Sequence, residues 1–240
     1  MSLINKKSVA AVFICGVIGL SVLYVYGRSM WVPAYQSVVG RQTVSSVVQN
    51  YGPAARARLA PYFAAAGIAY PPSAITLLAI KDSAKLELWA GDSAQQLFIR
   101  EYPIRALSGK AGPKLNEGDR QVPEGIYRIE GLNPNSSYHL SMKLNYPNAF
   151  DVQQADKEGR TQPGTNIFIH GKAVSIGCLA MGDSIIEELF VLAADSSKEA
   201  IDVVIAPTDP RPKSLLAPTN PKWVAELYTS IEQAFAKFPR

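Results

Sequence analysis

The sequence of 240 residues has little cysteine, histidine or charge. It contains two cysteines and two histidines, and Asp, Glu, Lys and Arg make up 18% of it. Cys15 lies in an apolar N-terminal run, so Cys178 is the only cysteine of the folded part and has no partner there for a disulfide. His139, His170 and Cys178 lack the short ligand spacings of a zinc site. We therefore expect no metal and no other cofactor.

Several other classes of function are disfavoured by the same composition. The net charge of +4 is mild, and no basic stripe with interleaved aromatic residues is present, so nucleic acid is not an expected partner. Neither a phosphate-binding Walker motif nor a dinucleotide fingerprint occurs. Hydrophobic residues make up 48% of the chain, which is enough for a sizeable core.

The N-terminal segment is predicted to be a transmembrane signal anchor over residues 8–26. Lys6 and Lys7 precede this run of 19 uncharged, mostly apolar residues, which is long enough to cross a bilayer as a helix. The lysines favour a cytoplasmic stub over residues 1–7, with the rest of the chain in the periplasm or outside. A cleaved signal peptide and secretion are the alternative. The absence of a clear cleavage site after the run favours the inner-membrane anchor.

The rest of the chain divides by composition into three parts. Residues 27–73 are rich in alanine and predict a helical spacer, with a break at Pro53 before a helix over 56–66. Residues 74–210 predict a compact domain. Residues 211–240 predict a proline-rich linker and a C-terminal amphipathic helix packed back on the domain, with a membrane-lying helix as the alternative.

Alternation and turn residues predict a mainly β (α+β) domain, a sandwich or barrel with a capping helix. The polar stretch 153–164 predicts a loop, and 133–135 a turn. Ser184-x-x-Glu187 predicts a capping box before a helix over 185–194. The expected strands are 74–81, 85–90, 97–104, 125–130, 138–144, 165–170 and 201–206.

The stretch 166–180, N-I-F-I-H-G-K-A-V-S-I-G-C-L-A, carries the candidate chemistry. Cys178 is a candidate nucleophile and His170 a candidate general base, because a thiol needs a base within reach. Gly177 allows close approach to the backbone, and the N–H groups of Gly177 and Cys178 are candidate oxyanion donors. A helix from Asp183 would place Cys178 near a helix N-terminus, which lowers a thiol pKa. A buried structural cysteine and histidine are the alternative.

These residues resemble a known family. I-H-G followed by S-x-G-C looks like the signature of the L,D-transpeptidase (YkuD-type) catalytic domain, and the segments 108–115 and 118–127 look like its G-x-x-x-x-P-x-G region. Residues 146–151 and 177–181 are similar to its YafK-like branch, which includes amidases. The resemblance spans about residues 75–210. It implies a β-sandwich fold with a helix after the nucleophile, and cysteine-dependent acyl transfer on bacterial peptidoglycan.

The resemblance also implies roles for neighbouring residues. The backbone carbonyl of Gly171 would orient the His170 ring. Ser175 matches the family serine before the Gly-Cys pair and would either hydrogen-bond within its loop or contact substrate. Two features depart from the family: the loop between His170 and Cys178 is short, and Ala180 stands where many members have Arg or Asn.

Other polar residues are weaker candidates. His139 lies on the polar face of a predicted strand. Lys172 is two positions after His170, and Tyr146 belongs to the segment that is similar to the YafK-like branch. Each is a candidate substrate-binding residue, with a solvated or structural role as the alternative. Carboxylates at the start of the helix after the motif are predicted to be cap or dipole partners rather than acids or bases, namely Asp183, Glu187 and Glu188.

The sequence therefore predicts a cell-wall enzyme that forms a thioacyl intermediate on diaminopimelate-containing stem peptides. An amine acceptor would give a cross-link or an attached protein. Water would give an amidase that releases a diaminopimelate-linked peptide or a wall-attached lipoprotein. A non-catalytic, membrane-tethered peptidoglycan-binding module and an unrelated exported cysteine protease are the alternatives of other classes.

Overall fold

The computed structural model describes residues 6–92 and 94–239 in two compact units, 1–41 and 42–240. Side chains are described from Val12 onward. Of the predicted cytoplasmic stub, residues 1–5 lie outside the described residues. Each unit has its own packing and is described by itself.

The first unit consists of two helices, α1 (Lys6–Tyr26) and α2 (Arg28–Val39), joined at Gly27. The Tyr24 and Trp31 rings stack across this junction with their centroids 5.5 Å apart. Within the part whose side chains are described, neither helix alone has the length and hydropathy needed to cross a bilayer. Val12–Tyr26 and α2, bent by 78° to each other, reach those criteria only as a pair. The predicted anchor over 8–26 stays a prediction.

The second unit is a mixed α+β domain, as predicted. One helix precedes its strands, two lie between strands, and one follows the last strand. Its elements are α3 (Val44–Ala66), β1 (Ala74–Ile80), β2 (Lys85–Gly91), β3 (Gln96–Pro103), β4 (Gly125–Ser136), β5 (His139–Leu144), α4 (Ala149–Lys157), β6 (Phe168–His170), β7 (Leu179–Ala180), α5 (Asp183–Ser196), β8 (Ile201–Ala206) and α6 (Val224–Phe235).

The eight strands form one sheet in the order β3-β2-β1-β8-β4-β5-β6-β7. The β1–β8 and β6–β7 pairs are parallel, and the others are antiparallel. Strand β4 pairs with β8 over Gly125–Arg128 and with β5 over Ile129–Ser136. The long β4 therefore connects a four-stranded half of the sheet to the shorter half that carries β6 and β7.

Helices cover both faces of the four-stranded half. Ile75 and Leu77 of β1 belong to the main core with α3 and α5, whereas Leu78 and Ile80 pack in a second cluster with α6. Side chains alternate along a strand, so a strand covered on both faces is apolar throughout. This explains the continuous apolar run of β1. The predicted packing of the C-terminal helix on the domain is confirmed, because Ile231 and its neighbours are buried there.

The predicted break at Pro53 is wrong, because α3 is one helix through both Pro53 and Pro61. Thr43 caps it, and Leu59 and Phe63 are buried in the main core. Proline in a helix interior costs a hydrogen bond, about 3 kcal/mol. The burial of apolar residues along α3 outweighs that local preference. A short window of sequence around Pro53 does not show this burial.

Two predicted irregular segments are regular structure. The predicted loop over 153–164 begins inside α4, which Asn148 and Asp151 open with a reciprocal capping box. The predicted turn at 133–135 lies inside β4, because register shifts let the strand continue to Ser136. A local cap thus explains α4, whereas pairing with β5 overrides local turn chemistry in β4.

The capping box predicted at Ser184-x-x-Glu187 is also wrong. Helix α5 begins at Asp183 after Gly182, with no side-chain cap. Glu187 accepts hydrogen bonds from Arg58 of α3 instead, at 3.2 Å. The long-range ion pair competes with the local cap for the same carboxylate.

Asp151 is expected to make stability fall as pH rises toward neutrality. Burial raises the pKa of Asp151 from 3.8 to about 6. A raised folded-state pKa means that the folded state binds more protons than the unfolded state between these values, so the free energy of unfolding falls across pH 4 to 6. Asp151→Asn should remove about 1–3 kcal/mol of this pH dependence. Urea unfolding of both proteins at pH 4.5 and 7.5 measures the difference; parallel pH dependences would contradict it.

Candidate active site

The sheet brings His170 and Cys178 together at the β6–β7 pair. His170 ends β6 and pairs with Ala180 in parallel register, and Cys178 directly precedes β7. Parallel strands lie about 4.8 Å apart with a rise of about 3.3 Å per residue. Cys178 lies two residues before Ala180, the partner of His170, so the side chains of His170 and Cys178 can reach each other across the strand pair. The loop 171–177 closes this short crossover.

The His170 ring is buried and held in one orientation. Its Nδ1 lies 2.6 Å from the Gly171 carbonyl oxygen. A carbonyl only accepts hydrogen bonds, so Nδ1 carries the proton and Nε2 of the neutral ring has a free lone pair. Burial lowers the pKa of His170, an effect that the Gly171 carbonyl partly opposes. At neutral pH the imidazole is therefore an uncharged base.

Gly171 is required for this orientation because its surroundings leave no room for a side chain. A Cβ atom at Gly171 would come within 2.6 Å of the Tyr138 carbonyl oxygen and 2.8 Å of Asp183 Oδ1. Its N–H donates to the Leu140 carbonyl at 3.1 Å. The peptide is thus fixed to β5, and its carbonyl takes the place of a carboxylate as the orienting group.

The Cys178 thiol is half-buried, with Sγ 4.0 Å from the Asn166 carbonyl oxygen. Burial raises its pKa, while the Phe168 backbone N–H and the Lys114 ammonium act in the opposite direction. The expected lowering by a helix N-terminus is wrong. Strand β7 and Gly182 stand between Cys178 and α5, so desolvation decides the direction.

Ser175 binds the loop that carries the nucleophile. Its Oγ accepts from the Cys178 N–H at 3.0 Å and the Gly177 N–H at 3.3 Å, and donates to the Cys178 carbonyl at 2.7 Å. Of the two predicted roles for Ser175, the structure shows the hydrogen bonds within the loop. The predicted oxyanion donors both face Ser175 Oγ, so their role in catalysis stays a prediction.

The weaker candidates have partners of their own. His139 Nε2 lies 3.0 Å from Glu187, and Lys172 pairs with Asp183. Tyr146 is buried, and its hydroxyl donates to the Pro163 carbonyl at 2.8 Å. Within the described contacts, none of these three side chains hydrogen-bonds to His170 or Cys178. Their substrate-binding roles stay predictions.

Sequence reasoning missed a buried ion pair that holds the Gly- and Pro-rich loop over residues 105–124. Lys81 Nζ lies 2.8 Å from Glu124 Oε1 and donates to the Val122 carbonyl at 3.0 Å. Glu124 Oε2 accepts from the Tyr228 hydroxyl of α6 at 2.8 Å. The loop is therefore tied to the sheet and to α6. Lys81 and Glu124 stand 43 positions apart, so no local pattern indicates the pair.

A second missed ion pair joins Lys114 to Asp119 in the same loop. Lys114 Nζ is 2.5 Å from Asp119 Oδ1, and only 4% of the lysine side chain is exposed. The aromatic ring of Tyr138, also missed, lies 4.9 Å from the His170 ring, centroid to centroid. The only sequence signal for Lys114 is its place in the segment 108–115.

The model of the YkuD L,D-transpeptidase catalytic domain matches residues 78–205, a range that includes His170 and Cys178. The chain belongs to this family. The Escherichia coli (strain K12) protein YafK, named as an L,D-transpeptidase candidate, is 33% identical over 120 residues, or 49% of this chain. That match covers 46% of YafK, so the chain spans about half the length of the curated relative it matches.

Three solved bacterial structures are similar to parts of this chain. The helical cell shape determining protein Pgp2 of Campylobacter jejuni is 22% identical with a TM-score of 0.47, over 56% of this chain and 48% of Pgp2. Bd1075 of Bdellovibrio bacteriovorus is 21% identical with a TM-score of 0.42, over 70% of this chain and 56% of Bd1075. L,D-transpeptidase 1 of Mycobacterium tuberculosis is 13% identical with a TM-score of 0.32, over 55% and 62%.

Proposed function

We propose that this protein is a cysteine acyltransferase that acts on diaminopimelate-containing stem peptides of peptidoglycan. The observation that carries the proposal is the 2.6 Å contact between His170 Nδ1 and the Gly171 carbonyl. It leaves Nε2 as a base on β6, the strand that pairs with β7, which Cys178 directly precedes. Family membership supplies the class of substrate.

The reaction follows from these two groups. His170 Nε2 accepts the proton of the Cys178 thiol as Sγ attacks an amide carbonyl of the stem peptide. The carbon–nitrogen bond then breaks, and the imidazolium returns the proton to the leaving amine. A thioester on Cys178 remains. Attack on it by a second amine or by water, with His170 again as base, releases the thiol.

Activity is expected on a broad pH plateau. The lowered pKa of His170 and the raised pKa of Cys178 mean that the resting pair is neutral imidazole and neutral thiol. Protonation of His170 removes the base, so the acid limb of the pH–rate profile should lie below 6.5, the ordinary pKa of histidine. The pKa of the Cys178 thiol is raised from 9.0, so the alkaline limb of the pH–rate profile should lie above that value. Initial rates from pH 4.5 to 10.5 measure both limbs; an acid limb above 6.5 would contradict the assignment.

The acceptor is the open part of the proposal. An amine gives transpeptidation, and water gives an amidase that releases a diaminopimelate-linked peptide or lipoprotein. Ala180, where many family members have a polar residue, is fully buried and bridges to Ala106 through backbone hydrogen bonds. This position therefore offers substrate no polar side chain, and the acceptor must be recognised elsewhere.

The location of the enzyme is part of the same proposal. An anchor over residues 8–26 would tether the catalytic unit to the inner membrane on its periplasmic or outer side, where peptidoglycan lies. The length and composition of the bent pair α1–α2 support a membrane or signal role. Fractionation of cells that express the full chain, followed by N-terminal sequencing, distinguishes an anchor from a cleaved signal.

Mass spectrometry of muropeptides tests the reaction directly. The full chain is incubated with stem peptides that bear D-alanine, or an amide-linked peptide, on diaminopimelate. New dimers joined between two diaminopimelates would establish transpeptidation, and loss of the linked group without dimers would establish the amidase. Unchanged profiles, together with no mass increase of the intact protein on exposure to a carbapenem, would favour the non-catalytic binding module.

A further inference from the structure

Lys114 is a buried cation of the loop over residues 105–124, and the described hydrogen bonds of its ammonium group lie within that loop. Its Nζ donates to the Asn116 carbonyl at 2.8 Å and pairs with Asp119 at 2.5 Å. Asp119 is itself fixed, because its two oxygens also accept from the backbone N–H groups of Leu115, Asn116 and Gln121. The pair therefore has a defined place in the loop.

The Lys114 side chain packs against the backbone that faces the nucleophile. A Cβ atom at Gly164 would lie 2.5 Å from Lys114 Cε and 3.2 Å from its Nζ, so only glycine permits this approach. Two residues later, the Asn166 carbonyl faces Cys178 Sγ at 4.0 Å. Tyr146 holds the same segment through the Pro163 carbonyl. The ammonium group and the thiol therefore lie against the same short segment, residues 163–166.

We propose that Lys114 is a positioning residue whose buried positive charge stabilises the Cys178 thiolate, and that Asp119 limits this effect by partly neutralising it. The proposal deepens the proposed function and rests on Cys178 being the nucleophile. A charge a few ångströms from a thiolate is effective when both are shielded from water. The lowering of the Cys178 pKa by Lys114 agrees with this arrangement.

Other charges near the thiol are less suited to this role. Glu117 and Arg120 are exposed, so water and salt screen them. The side chains of Lys172 and its partner Asp183 are 34% and 38% exposed, against 4% for Lys114, so water screens their charges more strongly. The charged and titratable groups on neighbouring segments are Lys114, Glu117, Asp119 and Arg120 of the loop, His170 of β6, Lys172 after β6 and Asp183 of α5.

Thiol alkylation of the full chain tests the proposal without any substrate. Rates of iodoacetamide modification are measured from pH 6 to 11, and peptide mass spectrometry separates Cys178 from Cys15, which serves as an internal control. Lys114→Met should raise the apparent pKa of Cys178 by about half to one unit, and Asp119→Asn should lower it. Lys114→Arg, which keeps the charge, should restore the wild-type value.

The two variants are expected to shift the Cys178 pKa in opposite directions, and this distinguishes an effect of charge from a loss of loop structure. A loosened loop admits water to the thiol, so it would lower the apparent pKa in both variants. A fall in both variants, or no change in either, would overturn the proposal. Where Lys114→Met does not fold, the double variant Lys114→Met/Asp119→Asn replaces it, and its thiol pKa should exceed that of Asp119→Asn alone; an equal or lower value would overturn the proposal.

The alkylation result and the muropeptide result can be told apart, so the role of Lys114 and the proposed function are tested separately. If the alkylation profiles shift as expected but muropeptides are unchanged, Lys114 tunes the thiol of a protein that does not turn over these substrates. If muropeptides are processed but the profiles do not shift, the acyltransferase stands and the role of Lys114 is rejected.

Discussion

Cys178→Ala is expected to abolish turnover of stem peptides while leaving the fold intact. The thiol is the only group proposed to bond covalently to substrate, so its loss removes the thioester route entirely. We expect a decrease of at least about 1,000-fold, as is typical when a covalent nucleophile is removed. Cys178 is half-buried, and removal of one sulfur atom leaves the hydrogen bonds of the Ser175 loop in place. Muropeptide analysis gives the rate, and circular dichroism gives the fold.

The second cysteine provides a matched control. Cys15→Ser changes the other thiol, which lies in the separate first unit, and should retain wild-type turnover. Turnover by Cys178→Ala at more than about a tenth of the wild-type rate would reject the covalent mechanism. Loss of activity in Cys15→Ser would show instead that the first unit takes part in the reaction.

His170→Gln is expected to reduce the rate by about 100- to 10,000-fold, the usual contribution of a positioned acid–base group. Glutamine has no titratable nitrogen, so the thiol would lose its base and the leaving amine its acid. The ring is buried between Tyr138 and the Gly171 carbonyl, and some loss of stability is therefore expected as well. Single-turnover acylation of Cys178 by a carbapenem separates the chemical step from stability, when it is measured on folded protein.

His139→Gln is the matched control for this variant, because the sequence contains two histidines. His139 pairs with Glu187 and packs edge-on against Tyr51, with ring centroids 5.3 Å apart. We expect its activity to fall less than tenfold. An equal loss in both variants would indicate that His139 belongs to the site, as its place on the polar face of β5 first suggested.

The arrangement of the candidate site was predictable from a few adjacent residues. His170, Gly171, Ser175 and Cys178 lie within nine positions, so their relative placement depends mainly on one short crossover between neighbouring strands. The resemblance to the family implied the contact between the His170 ring and the Gly171 carbonyl and the loop hydrogen bonds of Ser175, and the same crossover contains both. Local sequence carries such information because few backbone conformations join two paired strands over so short a span.

The direction of the thiol pKa was not predictable in this way. The sequence places a helix soon after Cys178 and suggests a lowered pKa, yet the thiol lies among buried groups before β7. Desolvation depends on every segment packed around an atom, including the Asn166 backbone and the loop that carries Lys114. The contact of Lys114 with Gly164 has no local signal, because the two residues are 50 positions apart.

The sequence by itself determined the class of fold, the nucleophile and base to be tested, and the family, because alternation along strands and one compact motif are local properties. Only the tertiary structure decided that α3 continues through two prolines, that Glu187 binds Arg58 instead of capping α5, and that Lys114 is buried against Gly164. Each of these depends on burial or charge pairing between distant segments, and such contacts outweigh local preferences once the chain is folded.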